Sequence, residues 1–358
     1  MKTCDFDFGR FREWRAQREE AMRRFLSNDG AAGNVMLLEK AGSRYVICRT
    51  PQESLECQLD ALTRQMDFKT GYVPFLEPWF GVGVFANAFG CEYVWVENQS
   101  PQTHYLIHTA EQAAKLTRPS IGDSPVMKLV LDAIDYFVEQ TRGEIPISCT
   151  DTQSPFDTAT LIWDTASFFS SLCVAPEAAH HVLGLITEVV IEFTREQIKH
   201  LGGTWARPGH IMPSAVGAPG FSVSDDNIVM VGPDQYAEFA VPYNEAISDA
   251  FGGLAVHSCG NFERQLPALM ATRGLMMADG AFSRPLDPTP NLNFERFRDL
   301  MKGTGVILQV RAHQDWPDIL RRLYHRDMRI ALVVPPPAPD EPIDKNRVAF
   351  DRIMSQIA

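Results

Sequence analysis

The sequence has no long hydrophobic run, no basic cluster and no paired-cysteine motif. Its longest apolar stretches are interrupted by charge or proline well short of a membrane span. The formal net charge is -12, which without a basic run argues against a nucleic-acid surface and against anionic membranes. The seven cysteines contain no CxxC pair, so we expect reduced thiols. The N-terminus, MKTCDFDFGRFREWRAQREE, is too charged for a signal peptide, and we expect a cytoplasmic protein.

A glycine fingerprint for dinucleotide binding is also missing, because no GxGxxG follows an early strand. Short apolar segments and helical patterns alternate instead from Gly143 onward, in the order IPISC, TWARPGHIM, LAVHSC, LMMADGA, VILQVRAH and IALVVPPP. Two earlier strands complete eight. The alternation predicts an α/β protein, a (β/α)₈ TIM barrel with an N-terminal helical extension. We expect one domain over residues 1–358, with the extension in residues 1–30 and a helix from Phe8 to Leu26.

An apolar loop follows the second helical pattern of the chain, which begins at Thr50 and Pro51. Thr50 and Pro51 are typical of a helix start there, and CEYVWVE downstream predicts a strand. The connection between them, GYVPFLEPWFGVGVFANAFG, is dense in glycine and aromatic residues, which is typical of a segment that packs under a neighbour or lines a pocket. The predicted substrate-binding aromatic residues are Tyr72, Trp79 and Phe80. Glu77 lies among them, where apolar surroundings would raise its pKa and suit it to acid–base work.

In a β/α barrel the catalytic groups lie at the carboxyl ends of the strands. The residues at those predicted positions are Cys149, Asp151, Arg207, His210, His257, Cys259, Asp279, Arg311 and His313. We predict substrate-binding roles for Arg207, His210 and Arg311. Asp225 and Asp226 in SVSDDN are further catalytic candidates, with an acidic turn as the alternative.

The segment VHSCGN is the most specific chemical signal. Residues i and i+2 of a strand project to the same face, so His257 and Cys259 can converge on one ion. Imidazole nitrogen and thiolate sulfur are the donors that Zn²⁺ prefers. Two ligands do not hold a metal, however, and the same spacing also suits a buried cysteine beside a hydrogen-bonded histidine.

The ordered motifs resemble the uroporphyrinogen decarboxylase superfamily, which includes the methylcobalamin:coenzyme M methyltransferases. VHSCGN resembles the HxCG segment of that superfamily. DTQSPFDTATLIW followed by PEAAHHVLGL is similar to its GP-F-T-A and P-E-x-x-H-x-L-L segments, and GPDQYAEFAVP is similar to S-P-x-x-Y-x-E-F-x-x-P. The resemblance implies the barrel that the periodicity predicts, and dimers are common among such proteins, so a homodimer stays open.

The methyltransferase branch implies a zinc that lowers the pKa of a thiol acceptor, with the methyl group carried on a corrinoid of a partner protein. His257 and Cys259 match its first two zinc ligands. The branch's later cysteine has no counterpart, because Cys259 is the last cysteine of the chain. Asp279, which ends the next predicted strand, is our candidate for the third ligand. His313 is a candidate ligand or general base, with a hydrogen-bonded loop histidine as the alternative.

We therefore expect a zinc-dependent methyltransferase that moves a methyl group between a corrinoid, or a small methylated substrate, and a thiol or pterin acceptor. Two alternatives remain. One is a metal-free, decarboxylase-like lyase that uses Glu77 and His313, although the R-Q-A-G-R motif of the true decarboxylases is missing. The other is a non-catalytic barrel that binds a corrinoid or tetrapyrrole.

Overall fold

The computed structural model describes residues 1–27 and 34–357. Part of the predicted N-terminal extension, residues 28–30, lies outside the described residues, as does residue 358. The strands are β1 (Val35–Glu39), β2 (Tyr93–Val94), β3 (Gln102–Thr103), β4 (Ala206–Arg207), β5 (Ala215–Val216), β6 (Phe221–Ser224), β7 (Leu254–His257), β8 (Leu275–Ala281), β9 (Ile307–Arg311) and β10 (Arg329–Val334).

The α-helices surround these strands. They are α1 (Phe8–Leu26), α2 (Pro51–Gln65), α3 (Val84–Ala88), α4 (Ala110–Ala113), α5 (Pro125–Thr141), α6 (Pro155–Ile162), α7 (Thr165–Val174), α8 (Pro176–Leu201), α9 (Pro233–Phe239), α10 (Val241–Phe251), α11 (Leu266–Ala271), α12 (Phe294–Met301), α13 (Trp316–Leu323) and α14 (Lys345–Ile357). The predicted extension helix has the bounds of α1, and Thr50 caps α2 by accepting from the Glu53 N–H.

The central sheet has six parallel strands in the order β1-β10-β9-β8-β7-β6. Extended segments continue it from β1 back to β6 and close the barrel. The contacts along this path join Gly71 to Leu37, Leu76 to Ile147, Ile147 to Trp205 and Ser222 to Pro208. The hairpin β4–β5 and strand β6 together form the fourth of eight strand–helix units. The chain therefore folds as the predicted (β/α)₈ barrel, preceded by α1.

Two parts of the early pattern differ from the prediction. Only Tyr93 and Val94 of CEYVWVE are in a strand, and they form an antiparallel pair with β3 outside the barrel sheet. The two early strands of the barrel are instead β1 and the extended segment from Gly71 to Leu76. Strand β6 reads FSVS, and its two serines hide the apolar pattern that identifies the other strands.

A row of polar side chains crosses the interior of the barrel. The parallel register pairs Ser224 of β6 with His257 of β7, His257 with Asp279 of β8, and Asp279 with Gln309 of β9. All four residues are buried. Because paired residues of neighbouring strands project in the same direction, these side chains form one layer. This layer positions the site.

Candidate metal centre at the mouth of the barrel

Three ligand-type side chains converge where β6 and β7 end. Nitrogen, sulfur and oxygen atoms of His257, Cys259 and Asp226 all lie within 4.8 Å of one another. His257 Nε2 lies 3.6 Å from Cys259 Sγ and 3.6 Å from Asp226 Oδ1. Asp226 follows β6 by two residues and Cys259 follows β7 by two residues, so adjacent strands deliver both to the same edge. This is one such cluster among the residues that the structure describes.

The donor set fits zinc. Tetrahedral zinc with bonds of about 2.0–2.3 Å separates its ligand atoms by about 3.4–3.6 Å. The two 3.6 Å separations around His257 Nε2 are therefore the right size for a shared ion. One imidazole, one thiolate and one carboxylate also leave a fourth position for a substrate, as in catalytic zinc sites.

Asp279 lies behind the imidazole rather than beside the other donors. Its Oδ2 is 2.5 Å from His257 Nδ1, and its Oδ1 accepts from Gln309 Nε2 at 2.7 Å. Arg311 Nε donates to Oδ2 at 3.0 Å. Asp279 was predicted to be the third ligand, but the structure places its carboxylate against Nδ1 of His257, on the side of the ring that faces away from Cys259 and Asp226. Asp226 instead completes the cluster of three ligand-type side chains.

The electrostatics of this layer follow from these contacts. Burial alone would raise the pKa of Asp279, but Arg311 and His257 outweigh burial and lower it. Burial alone would lower the pKa of His257, whereas Asp279, Cys259 and Asp226 raise it to about 10. A carboxylate on Nδ1 fixes the ring and directs Nε2 to a metal, which is a common arrangement around ligating histidines.

A second polar cluster faces the first across the mouth. His210 Nδ1 is 2.6 Å from Glu77 Oε1, and Tyr45 donates to Glu77 Oε2 at 2.8 Å. The rings of His210 and His257 are perpendicular, with centroids 6.1 Å apart. The structure thus brings together Glu77 and His210, two of the predicted site residues, next to the candidate metal centre.

Asp151 joins the second cluster from the third strand unit. Its Oδ1 lies 3.6 Å from His210 Nε2 and accepts from Ser224 Oγ at 2.8 Å. Its Oδ2 accepts from Trp79 Nε1 at 3.3 Å. Trp79, a predicted substrate-binding residue, therefore holds a carboxylate of the site through its indole N–H.

The predicted raised pKa of Glu77 is wrong in sign. Burial does raise it, but His210, Lys40 and the Tyr45 hydroxyl together lower the pKa of Glu77 overall. Burial lowers the pKa of His210, while Asp151 and Glu77 raise it overall. The sequence shows the apolar surroundings of Glu77 but not its histidine partner, which lies 133 residues away.

Three other predicted residues lie elsewhere. Asp225 is buried against Ser154, Tyr236 and Asn244, all of which donate to its carboxylate. Arg207 donates to the carbonyls of Gly220 and Phe251.

The Gly220 and Phe251 carbonyls that accept from Arg207 precede β6 and β7, so Arg207 holds the amino ends of these strands and does not line the mouth. His313 lines a cavity of about 450 Å³ with Trp316 and Pro335–Pro337. Glu77 lines a different cavity, beside Tyr45, so the two residues of the lyase alternative line separate cavities.

The aromatic predictions divide in the same way. Phe80 is fully buried in the main core and has no exposed surface for a substrate. Tyr72 is buried in the second core cluster, where its ring lies 5.9 Å from Lys40 Nζ, and it lines the cavity beside Glu77. Burial of large aromatic side chains is the usual outcome for such apolar loops.

Tyr45 is a site residue that sequence reasoning missed. It sits in a 3-10 turn (Tyr45–Ile47) after β1, and no motif marks it. Asp151 had a signal, because it follows the predicted strand IPISC, but no chemical role was assigned to it. The contact with His210, 59 residues later, identifies its place.

Comparisons with known proteins agree with this architecture. Residues 34–205 match the family model described as uroporphyrinogen decarboxylase (URO-D). The chain is 24% identical over 212 residues to a uroporphyrinogen decarboxylase of Xanthomonas oryzae, covering 57% of this chain and 52% of the relative. It is 22% identical over 242 residues to one of Xanthomonas campestris, covering 66% and 59%. The match thus spans little more than half the length of these curated relatives.

A solved structure extends the likeness in fold to nearly the whole chain. It is a methyltransferase from Methanosarcina mazei, which superimposes with a TM-score of 0.65 at 13% identity and covers 95% of this chain and 99% of the other. None of the helices in the described residues is long and apolar enough to cross a membrane. Residues 34–205 are thus similar to the uroporphyrinogen decarboxylase family, and nearly the whole chain shares the fold of this methyltransferase.

Proposed function

We propose that the chain is a zinc-dependent methyltransferase whose metal is held by His257, Cys259 and Asp226. The observation that carries this proposal is the convergence of their nitrogen, sulfur and oxygen atoms within 4.8 Å at the mouth of the barrel. The fold shared with a methyltransferase supports the same reaction class. Zinc bound there would lower the pKa of a coordinated substrate thiol, so that a thiolate would be available at neutral pH.

The chain's own residues keep the centre in order. Asp279 accepts a hydrogen bond from the Nδ1–H group of His257, which leaves Nε2 free for coordination. Arg311 holds Asp279 through Nε, and its Nη2 donates to the Ser258 carbonyl at 3.2 Å. One guanidinium therefore fixes both the imidazole and the loop that carries Cys259. Such outer contacts set the orientation of ligands.

The reaction is a methyl transfer between two nucleophiles. The thiolate sulfur forms a bond to the methyl carbon while the bond from that carbon to its donor breaks, and the electron pair of the broken bond stays with the donor. A corrinoid is a suitable donor because its cobalt accepts that pair, and we place it on a partner protein. The thiol proton leaves to solvent, since Asp226 and Cys259 both have exposed surface.

A second candidate function is the metal-free lyase, which the decarboxylase family match favours. The composition of the mouth opposes a highly carboxylated substrate. Glu77, Asp151 and Asp226 all face it, and the arginine that reaches the layer, Arg311, is already paired with Asp279. Like charges near a carboxylate substrate disfavour its binding. A lyase here would therefore act on a smaller acid.

The test combines metal analysis with a methyl-transfer assay. We expect about one zinc per chain in the freshly purified protein, and transfer from methylcobalamin to 2-mercaptoethanol. Cys259→Ser should lose most of the zinc and reduce the rate at least about 100-fold, because two remaining ligands hold zinc poorly. Cys173→Ser is the matched control, since Cys173 is also an exposed free thiol but lies on α7.

Other outcomes would contradict the proposal. Decarboxylation of a small acid by a zinc-free chain, unaffected by Cys259→Ser, would support the lyase. Tight binding of cobalamin with no turnover of either kind would support a non-catalytic binding protein.

A further inference from the structure

The carboxylate of Asp226 is placed by another carboxylate, that of Asp157. Asp157 Oδ2 accepts from the Asp226 backbone N–H at 2.6 Å, and its Oδ1 accepts from the Asn227 N–H at 2.8 Å. Asp157 thus grips two successive amides at the start of the loop after β6. The Asn227 side chain adds a bond to Thr160 Oγ1 at 3.0 Å, one turn further along α6.

The local structure of α6 does not require the side chain of Asp157. It lies in the first turn of α6, but the helix is capped by Ser154, whose Oγ accepts from the Asp157 N–H. Asp157 is 2% exposed, and both its oxygens bond a loop 69 and 70 residues away. Burial and the neighbouring Asp225 and Asp226 raise the pKa of Asp157, whereas the two amides lower it. Buried side-chain oxygens are costly unless they are bonded, and these two amides bond both of them.

The same kind of contact repeats around the mouth. Asp226 Oδ1 accepts from the Cys259 N–H at 2.6 Å, and Asp287 Oδ2 accepts from the Gly260 N–H at 2.8 Å. Each carboxylate therefore bonds a backbone amide of a neighbouring unit. Together the three contacts join the start of α6 to the loops after β6, β7 and β8.

We propose that Asp157 is a positioning residue for the metal ligand Asp226, holding its loop against α6 so that its carboxylate faces His257 and Cys259. This inference rests on the proposed metal centre. Asp157 touches neither a ligand side chain nor a substrate. It acts through the backbone, because it accepts from the Asp226 and Asn227 amides. Without it these two amides would lose their bonds to α6, although the Asn227 side chain and Asp225 would still hold the loop.

The experiment compares Asp157→Asn with the wild-type chain. Asparagine keeps the size of the side chain but replaces one carboxylate oxygen with an NH₂ group. That NH₂ group cannot accept from the backbone N–H that donates to the oxygen in the wild type. We expect zinc affinity, measured by competition with a chelating dye, to fall about 10- to 100-fold, the range typical for outer-shell changes. The thiolate absorption of the Co²⁺-loaded protein should shift as well, which a loss of stability alone would not cause.

Two further variants keep the test decisive. Asp164→Asn is the matched control, because Asp164 also accepts a backbone N–H, that of Ser167, but caps the remote helix α7. Thr160→Val removes the bond from Asn227, together with the bond that Thr160 Oγ1 donates to the Asp157 carbonyl, and leaves the Asp157 carboxyl in place. It should weaken zinc binding a few-fold, so it remains informative if Asp157→Asn does not fold. Wild-type zinc affinity and an unchanged Co²⁺ spectrum in folded Asp157→Asn would overturn the inference while the proposed function stood. A wild-type chain that binds no zinc would instead refute the proposed function itself.

Discussion

The two sides of the barrel mouth are built differently. On one side, His257 and Cys259 come from one strand end, and Asp226 and Asp279 come from the two neighbouring strands. On the other side, Glu77 and its partners lie far apart in the chain, on loops and a 3-10 turn: Tyr45, Asp151 and His210. The first side is fixed by strand register and the second by long-range contacts.

The two sides also differ in whether the family match includes their residues. The family match covers residues 34–205 and so includes Glu77, but it ends before Asp226 and His257. The candidate metal centre is thus supported by the positions of the side chains and not by the family match. The two sides meet where the rings of His210 and His257 lie 6.1 Å apart, and substitutions on each side should separate their contributions.

Glu77→Gln should have the largest effect on stability. It removes the charged partner of the His210 imidazole in a buried pair, which typically costs about 3 kcal/mol of unfolding free energy. Urea unfolding in the presence of a chelator measures it without metal. Glu13→Gln is the control, since Glu13 is exposed on α1.

This effect should depend on pH in a defined direction. The pKa of Glu77 is lowered, so its contribution is present above the ordinary value of 4.5 and lost as pH falls. The pKa of His210 is raised, so its contribution is full below the ordinary value of 6.5 and lost as pH rises past the raised pKa. The difference between wild type and Glu77→Gln should be largest between these values. A difference that keeps growing towards pH 9 would show that the pair is not ionised.

Asp279→Asn should chiefly weaken metal binding on the side of the mouth that contains His257. Losing the carboxylate on His257 Nδ1 should weaken zinc binding about 10- to 100-fold, or about 1.4–2.8 kcal/mol. Dye competition measures this, and Asp249→Asn on the outer face of α10 is the control. Unchanged affinity would show that Nδ1 needs no carboxylate partner. Complete loss of zinc would revive Asp279 as a direct ligand.

Arg207→Met should have the smallest effect on the site. Its guanidinium donates to carbonyls at the amino ends of β6 and β7 and stacks 4.2 Å from the Trp205 ring. We expect a loss of about 1 kcal/mol in unfolding free energy, with zinc content and methyl transfer unchanged. A selective loss of activity at full stability would place Arg207 at the mouth after all.

Much of the fold could be predicted because it depends on local patterns. The segments LMMADGA and VILQVRAH became β8 and β9, and the charged amphipathic stretch became α1. The prediction failed for CEYVWVE, where aromatic and β-branched residues favour extended backbone but the barrel offers no adjacent edge. It also missed β6, whose serines face the polar interior layer.

The sequence by itself determined the alternation of strands and helices, and the i, i+2 spacing that turns His257 and Cys259 to one side. These follow from chain geometry over a few residues. Only the tertiary structure decided that Asp226 joins them, that Asp279 stands behind the imidazole, and that Glu77 finds His210. Those choices depend on the register between strands and on contacts that span 22 to 133 residues of chain, which no short pattern encodes.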